Sequence, residues 1–294
     1  MKTDPQFFRA TALTEATLRV RALKPMLRFY CGTLGLQLIA GSSRRAELSM
    51  TGRAPALLVL EEDGEANPAP RDAAGLFHIA FLYPDRPALA TGVRRVTERR
   101  HPLTGASDHG VSEAVYLSDP EDNGIELYAD RSPKLWPHHG RDVAMFTAPL
   151  DLDGLLSESN PTGYEYAAPP ALRIGHIHLR VSDLRRAELF YAQALGFETR
   201  QRDFPGALFM GREGYHHHIG ANTWLSRRPA PQGALGLSRF AVSLPAEDAA
   251  RAIHAARELG LVIGNTDMGA ALRDFDGIGI TLQVTRETGP MGPT

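Results

Sequence analysis

A single cysteine, Cys31, stands among the 294 residues, and no long apolar run occurs anywhere. One thiol builds neither a disulfide framework nor a cysteine-rich zinc site, and its place in LRFYCGTLGL makes burial the simplest role for it. No segment reaches the roughly 18 consecutive apolar residues that a membrane-spanning helix needs. The first residues, MKTDPQFFRATALTEATLRV, carry neither an apolar h-region nor a small-residue cleavage site, so a cytoplasmic protein is expected. A field of one sign is also missing: 32 Lys and Arg oppose 34 Asp and Glu, for a formal net charge of −2. That balance gives nucleic acid or an anionic membrane no surface to hold, and leaves a small ligand as the expected partner. With 43% hydrophobic and 22% charged residues, the chain is ordinary globular material, long enough for one large or two medium domains.

What is present, first, is repetition. Residues 23–36, LKPMLRFYCGTLGL, match residues 184–197, LRRAELFYAQALGF, at a constant offset of 161 (184 − 23). Leu23/Leu184, Phe29/Phe190, Tyr30/Tyr191, Leu34/Leu195 and Gly35/Gly196 coincide. Helical spacing of the apolar positions, with a glycine where a left-handed cap is wanted, predicts one amphipathic helix in each copy. A short strand precedes each helix (TLRV; HIHLRV) and β-type runs follow it, including LQLIA, AELSM and ALLVLEE in the first copy. A second kind of unit comes after each, with a strand, a helix (PALATGVRRVTERR; AEDAARAIHAARELG) and closing strands around LSDPEDNGIELY or LRDFDGIGITLQ, each with a turn Asp and a Gly before the last strand.

The chain therefore reads as an α+β protein of four βαβββ modules, at about 12–61, 75–130, 172–225 and 235–285, forming two domains with curved mixed sheets. The N-terminal domain is expected at 12–130 and the C-terminal one at 172–288. Residues 131–171, rich in Pro, Gly and acidic residues with little periodicity, read as the linker, with a short helix around Leu152 to Glu158.

Eleven histidines are present, and they recur at equivalent module positions. His78 lies on the first strand of module two, and His176 and His178 on that of module three. The run His216-His217-His218 is placed on the last strand of module three, where module two has Ile125-Glu126-Leu127. A lone strand histidine is ordinarily half-exposed or satisfied, and a lone Glu serves well on an edge strand. Jointly they say more: an acid within the apolar strand GIELY is costly to bury without a partner, and two His with one Glu form the facial triad that leaves positions open on Fe(II) or Mn(II). Alternation along a regular strand sets His217 opposite His216 and His218. Phe240 and Trp224 are candidate pocket walls.

At IGHIHLRVSDLRRAELFYAQALGF, YHHHIGANTW, LFHIAFLYPDR and ASDHGVSEAVYLSDPEDNGIELYADR the chain resembles the glyoxalase, bleomycin-resistance and extradiol dioxygenase superfamily, over nearly its whole length. The helix motif speaks for fold alone; the histidine-bearing segments are more specific. In extradiol dioxygenases the iron ligands are a His on the first strand of one module, and a His and a Glu on the first and last strands of its partner. The resemblance thus implies His176, His78 and Glu126 as metal ligands, His217 as the proton-transferring residue, and His109 and Tyr116 as second-sphere donors. It implies a catechol-type diol and O2 as reactants, Fe(II) or another divalent metal such as Mn(II), and admits a homodimer.

One departure has a structural consequence. The usual extradiol enzyme takes its ligands from modules three and four, but module four here carries Arg239 where His would stand and Thr281 where Glu would stand. Module one, with Thr17 or Glu15 at the first-strand position, fails as well. The set is complete only if modules two and three meet, in one cup or across a domain or subunit interface. Two alternatives share the fold: a glyoxalase-like metal-dependent isomerase or lyase, and a metal-free, resistance-type protein that binds an aromatic ligand.

Overall fold

Every predicted module appears as βαβββ in a computed structural model that describes residues 10–140, 142–160, 167–261, 264–266 and 269–285. The repeated helices run from Leu23 to Thr33 and from Leu184 to Ala194, each widening from α to π geometry in its second half. Gly35 and Gly196 follow at φ 81° and 76°, the left-handed cap that the spacing predicts.

Conserved spacing between the two halves has a bonding reason. The helix tyrosine of module one, Tyr30, donates to the turn carboxylate Asp119 of module two at 2.8 Å. Tyr191 of module three does the same to Asp274 of module four at 2.7 Å. In each turn the other carboxylate oxygen accepts two backbone N–H groups, those of Glu121 and Asn123 or of Asp276 and Ile278. The glycine that closes the first of these turns, Gly124, is forced by space: a Cβ there would lie 2.0 Å from the Phe77 carbonyl oxygen. Buried Arg95 adds a further tie, donating to the Thr33 and Leu34 carbonyls at the end of the module-one helix and to Ala167 of the linker.

Sheet pairing follows a different plan from sequence order. The first strand of module two, Gly75–Leu82, runs antiparallel to the first strand of module three, Arg173–Arg180. Each also pairs in parallel with its own module's last strand, Gly124–Asp130 or Ile219–Asn222. Module one joins module four in the same way, Ala12–Val20 against Gly236–Leu244, with Leu58–Glu62 and Gly279–Val284 outside them. Two curved cups result, made of modules two and three and of modules one and four. The pairing Leu13↔Ile174 joins them in one hydrogen-bonded network of 17 described strands. The four first strands occupy the cup centres.

The linker helix forms over Leu152–Ser157, capped by the Asp151 side chain on Gly154 N–H. Ahead of it, Ala148–Pro149 adds to the edge strand Gly105–Asp108 of module two. The linker is thereby part of the module-two cup wall and not a free spacer.

Candidate metal centre

Modules two and three meet within one chain, and their central strands bring the predicted ligands together. His78 pairs directly with His178, and Ala80 lies between His176 on one side and Glu126 on the other. Glu126 Oε2 is 2.9 Å from His78 Nε2 and 3.1 Å from His176 Nε2, and the two nitrogens are 3.2 Å apart. All three side chains are buried, and they form the metal-capable cluster found among the described residues.

Three heteroatoms at these spacings fit an ion better than they fit one another. If both Nε2 atoms donate to the carboxylate, two N–H donors crowd with their nitrogens only 3.2 Å apart; if either turns away, a buried group loses its partner. Three cis ligands about 2.1 Å from an octahedral ion are about 3.0 Å apart, close to the observed edges. Electrostatics agree. Burial pushes the Glu126 carboxyl up, but the facing His176 and His78 overcome this and hold it well below its ordinary value. Burial lowers His176 to about 4 against the pull of Glu126, which keeps the ring neutral and its lone pair available.

The other expected site residues lie around this triangle. Tyr116 faces Glu126 across the strand pair, and burial followed by the Glu126 charge raises its phenol well above 10. His109 Nδ1 contacts the Phe146 carbonyl at 2.8 Å and so carries the hydrogen there, which leaves Nε2 to accept from the Tyr116 hydroxyl at 2.6 Å. The run His216–His218 departs from expectation, because it is not on the last strand. Glu213 and Gly214, at φ 55° and 81°, turn the chain, and the histidines lie between that turn and Ile219–Asn222. Alternation therefore does not apply: His216 and His217 lie side by side, their Nδ1 atoms 2.8 Å apart. The His217 ring lies against that of His176, centroids 4.1 Å apart.

A cavity of about 590 Å³ opens onto the triangle, within the range of small-molecule sites. His78, His176, Glu126 and His217 lie in its wall with Phe77, Phe146, Phe209 and Trp224. Trp224 is where the sequence suggested, whereas Phe240 is buried in the core against Tyr191. Met145 and Phe146 come from the linker and had no periodicity to announce them. Asp130 and Tyr215 were also missed; Asp130 could have been found by counting two and four residues along the strand from Glu126.

Fold and ligand set together define a family. The chain belongs to the Glyoxalase/Bleomycin resistance protein/Dioxygenase superfamily, whose family model matches residues 12–127 and 173–293. It is similar to the catechol-2,3-dioxygenase of Bacillus subtilis (strain 168), with 42% identity over 244 residues that cover 81% of this chain and 84% of that protein. Among solved structures, a candidate dioxygenase from Bacillus subtilis superposes with a TM-score of 0.65 at 12% identity, covering 94% of this chain and 86% of that one. A glyoxalase I variant from Zea mays gives a TM-score of 0.60 at 17% identity over 94% of both chains. At such identities the two structures speak for the fold alone. No helix among the described residues is long and apolar enough to cross a membrane.

Proposed function

We propose that this protein is an extradiol dioxygenase that opens the ring of a small catechol-type diol with O2, using a divalent metal, Fe(II) first and Mn(II) as the alternative, held by His78, His176 and Glu126. The observation that carries the reading is the buried triangle of two imidazole nitrogens and one carboxylate oxygen at 2.9, 3.1 and 3.2 Å. The 42% identity to a catechol-2,3-dioxygenase supports the choice of reaction. Held by His78, His176 and Glu126, a divalent metal would supply the redox chemistry through which a catechol-type diol reacts with O2.

The protein's own groups do the rest. Burial, then the neighbouring His176 and His216, holds His217 well below the ordinary imidazole pKa, so near neutral pH it is a free base, ready to take the proton that the second diol hydroxyl must lose. Tyr116 and His109 bring a neutral phenol and an imidazole to the cavity wall, dipoles that respond to charge developing on a bound oxygen. Phe77, Phe146, Phe209 and Trp224 give a flat aromatic ring an apolar berth and exclude water from it. A glyoxalase-type isomerase would use the metal only to polarise an oxygen. The cluster's three donors, with no fourth ligand grouped with them among the described residues, favour oxygen chemistry over that alternative.

The test is anaerobic reconstitution with Fe(II) followed by oxygen uptake on a panel of substituted catechols. One O2 consumed per ring opened is expected, and stoichiometric bound metal without uptake on any member would refute the reading.

A further inference from the structure

Along Gly124–Asp130 the side chains alternate, so Glu126, Tyr128 and Asp130 share one face. Glu126 meets the two candidate ligands, while Asp130 ends in a separate chain of hydrogen bonds. Its carboxylate accepts from the Tyr215 hydroxyl at 3.0 and 3.2 Å and lies 2.9 Å from His216 Nε2. His216 Nδ1 lies 2.8 Å from His217 Nδ1, and the Tyr128 hydroxyl closes the far end 2.8 Å from that of Tyr215. Burial, and after it the Asp130 charge, pushes both phenols well above 10, so they remain hydrogen donors. Tyr128 reaches its place because residue 175 is glycine: a Cβ there would lie 1.7 Å from the Tyr128 hydroxyl oxygen.

With neutral rings, one hydrogen placement satisfies every link. A carboxylate has no hydrogen to give, so His216 carries its own on Nε2. Its Nδ1 is then a lone pair, and His217 must carry its hydrogen on Nδ1. The Nε2 of His217 is left bare, on a ring that lines the cavity.

We propose that Asp130 and His216 are positioning residues that hold His217 in the tautomer whose free Nε2 serves as the proton acceptor in the cavity. This rests on the reading of His217 as the proton-transferring group. Once Nε2 has taken a proton, the charged ring stays linked through His216 to the Asp130 carboxylate, which stabilises the charge without touching it. The buried acid and both tyrosines gain a purpose that the metal triangle does not give them.

Histidine-15N NMR of the metal-free full chain near neutral pH reads the tautomers directly, and its outcome does not depend on whether iron or catechol is the right assignment. Hydrogen on Nε2 of His216 and on Nδ1 of His217 is expected, the signals being identified by their loss in His216→Gln and His217→Gln. A hydrogen on His217 Nε2, or a doubly protonated His216, overturns the proposal. In Asp130→Asn, the Tyr215 hydroxyl still donates to the amide oxygen, so the amide N–H₂ faces His216 and both tautomers should invert. The iron-loaded variant should keep its metal and a KM within about threefold, and lose kcat by about 10²-fold or more. Tautomers unchanged in this variant, or inverted with kcat intact, would also overturn it. A wild-type chain without ring-cleaving activity would remove the dioxygenase reading and leave the NMR result to judge the hydrogen-bond chain by itself.

Discussion

Lowering the pH of the metal-free chain from about 7.5 to about 5 should destabilise it, the buried histidines outweighing Asp274, whose carboxyl is raised by burial to about 6 and acts in the opposite direction as it takes up a proton. The perturbation acts on buried histidines. His176 is lowered by burial to about 4 from an ordinary 6.5, and burial likewise holds His178 and His217 well below that value. A base whose folded pKa is depressed stays neutral in the native state while the unfolded chain takes up protons below about 6.5. The stability it contributes is therefore fully present above the unfolded value and is lost as pH falls toward the folded one. For His176 alone, integrating between these pH values removes about 2 kcal/mol, and His178 and His217 act in the same direction. Glu126 adds its own loss at lower pH, since its depressed carboxyl contributes stability above about 4.5 that disappears as pH falls further. Thermal or urea unfolding of chelator-treated protein measures this, with a fall in Tm of about 5 °C or more expected between pH 6.5 and 5. A flat or rising Tm across that window would refute the burial of neutral histidines.

Three further outcomes are open to measurement. Glu126→Gln keeps the side-chain shape but removes the only anion of the triangle, so bound divalent metal should fall at least about 10-fold with the circular dichroism spectrum unchanged; stoichiometric metal in the variant would exclude Glu126 as a ligand. His217→Ala should keep metal and substrate binding and lose about 10²- to 10⁴-fold in turnover, and loss of metal instead would make His217 a ligand. Tyr191→Phe deletes one hydroxyl that donates to Asp274, a carboxyl that burial raises to about 6. Urea melts should show a loss of about 1–3 kcal/mol with metal content unaltered, and unchanged stability would deny the tie between modules three and four any role.

The module pattern was legible in the sequence because the recurring residues bond to one another. Tyr30 and Tyr191 recur since each reaches a turn carboxylate in the next module, and the glycine before the closing strand lies close to the first strand in both, a Cβ falling 2.0 Å from the Phe77 carbonyl oxygen at Gly124 and 3.0 Å from the Arg239 Cβ at Gly279. The clustering of His78, His176 and Glu126 was legible for a different reason: Glu126 in an apolar strand demanded a partner, and the resemblance to extradiol dioxygenases pointed to these two histidines. That modules two and three meet was legible only through the residues of the expected ligand set, which no other pair of modules completes. All four first strands are similarly apolar, and local sequence does not say whether module two pairs with one or with three. The orientation of His216 was misjudged because strand alternation was applied to residues 216–218, which lie between the turn at Glu213 and Gly214 and the strand Ile219–Asn222 and are not in the strand themselves. Phe146 was invisible for want of any pattern, since its contribution comes from the linker strand laid along Gly105–Asp108.

The two cups answer one physical problem in opposite ways. In the pairing of modules one and four, Glu15 sits across from Ala241 and Ala241 across from Thr281, the same relation that His176, Ala80 and Glu126 hold in the other cup. Arg239 then stands in the place of His78. The acid of this cup has moved to the opposite strand, and burial raises its pKa before Arg239 pulls it back. Arg239 lies 3.7 Å from Glu15 and 3.2 Å from Glu61, and Thr17 donates to Glu15 at 3.2 Å. A guanidinium of the same chain thus faces the acid of this cup, where two imidazoles face Glu126 in the other. An arginine carries its own charge and has no lone pair to offer a metal, so this cup keeps the architecture with a different donor set. In one cup the acid meets a guanidinium of the same chain; in the other, His78, His176 and Glu126 converge on a cavity of about 590 Å³.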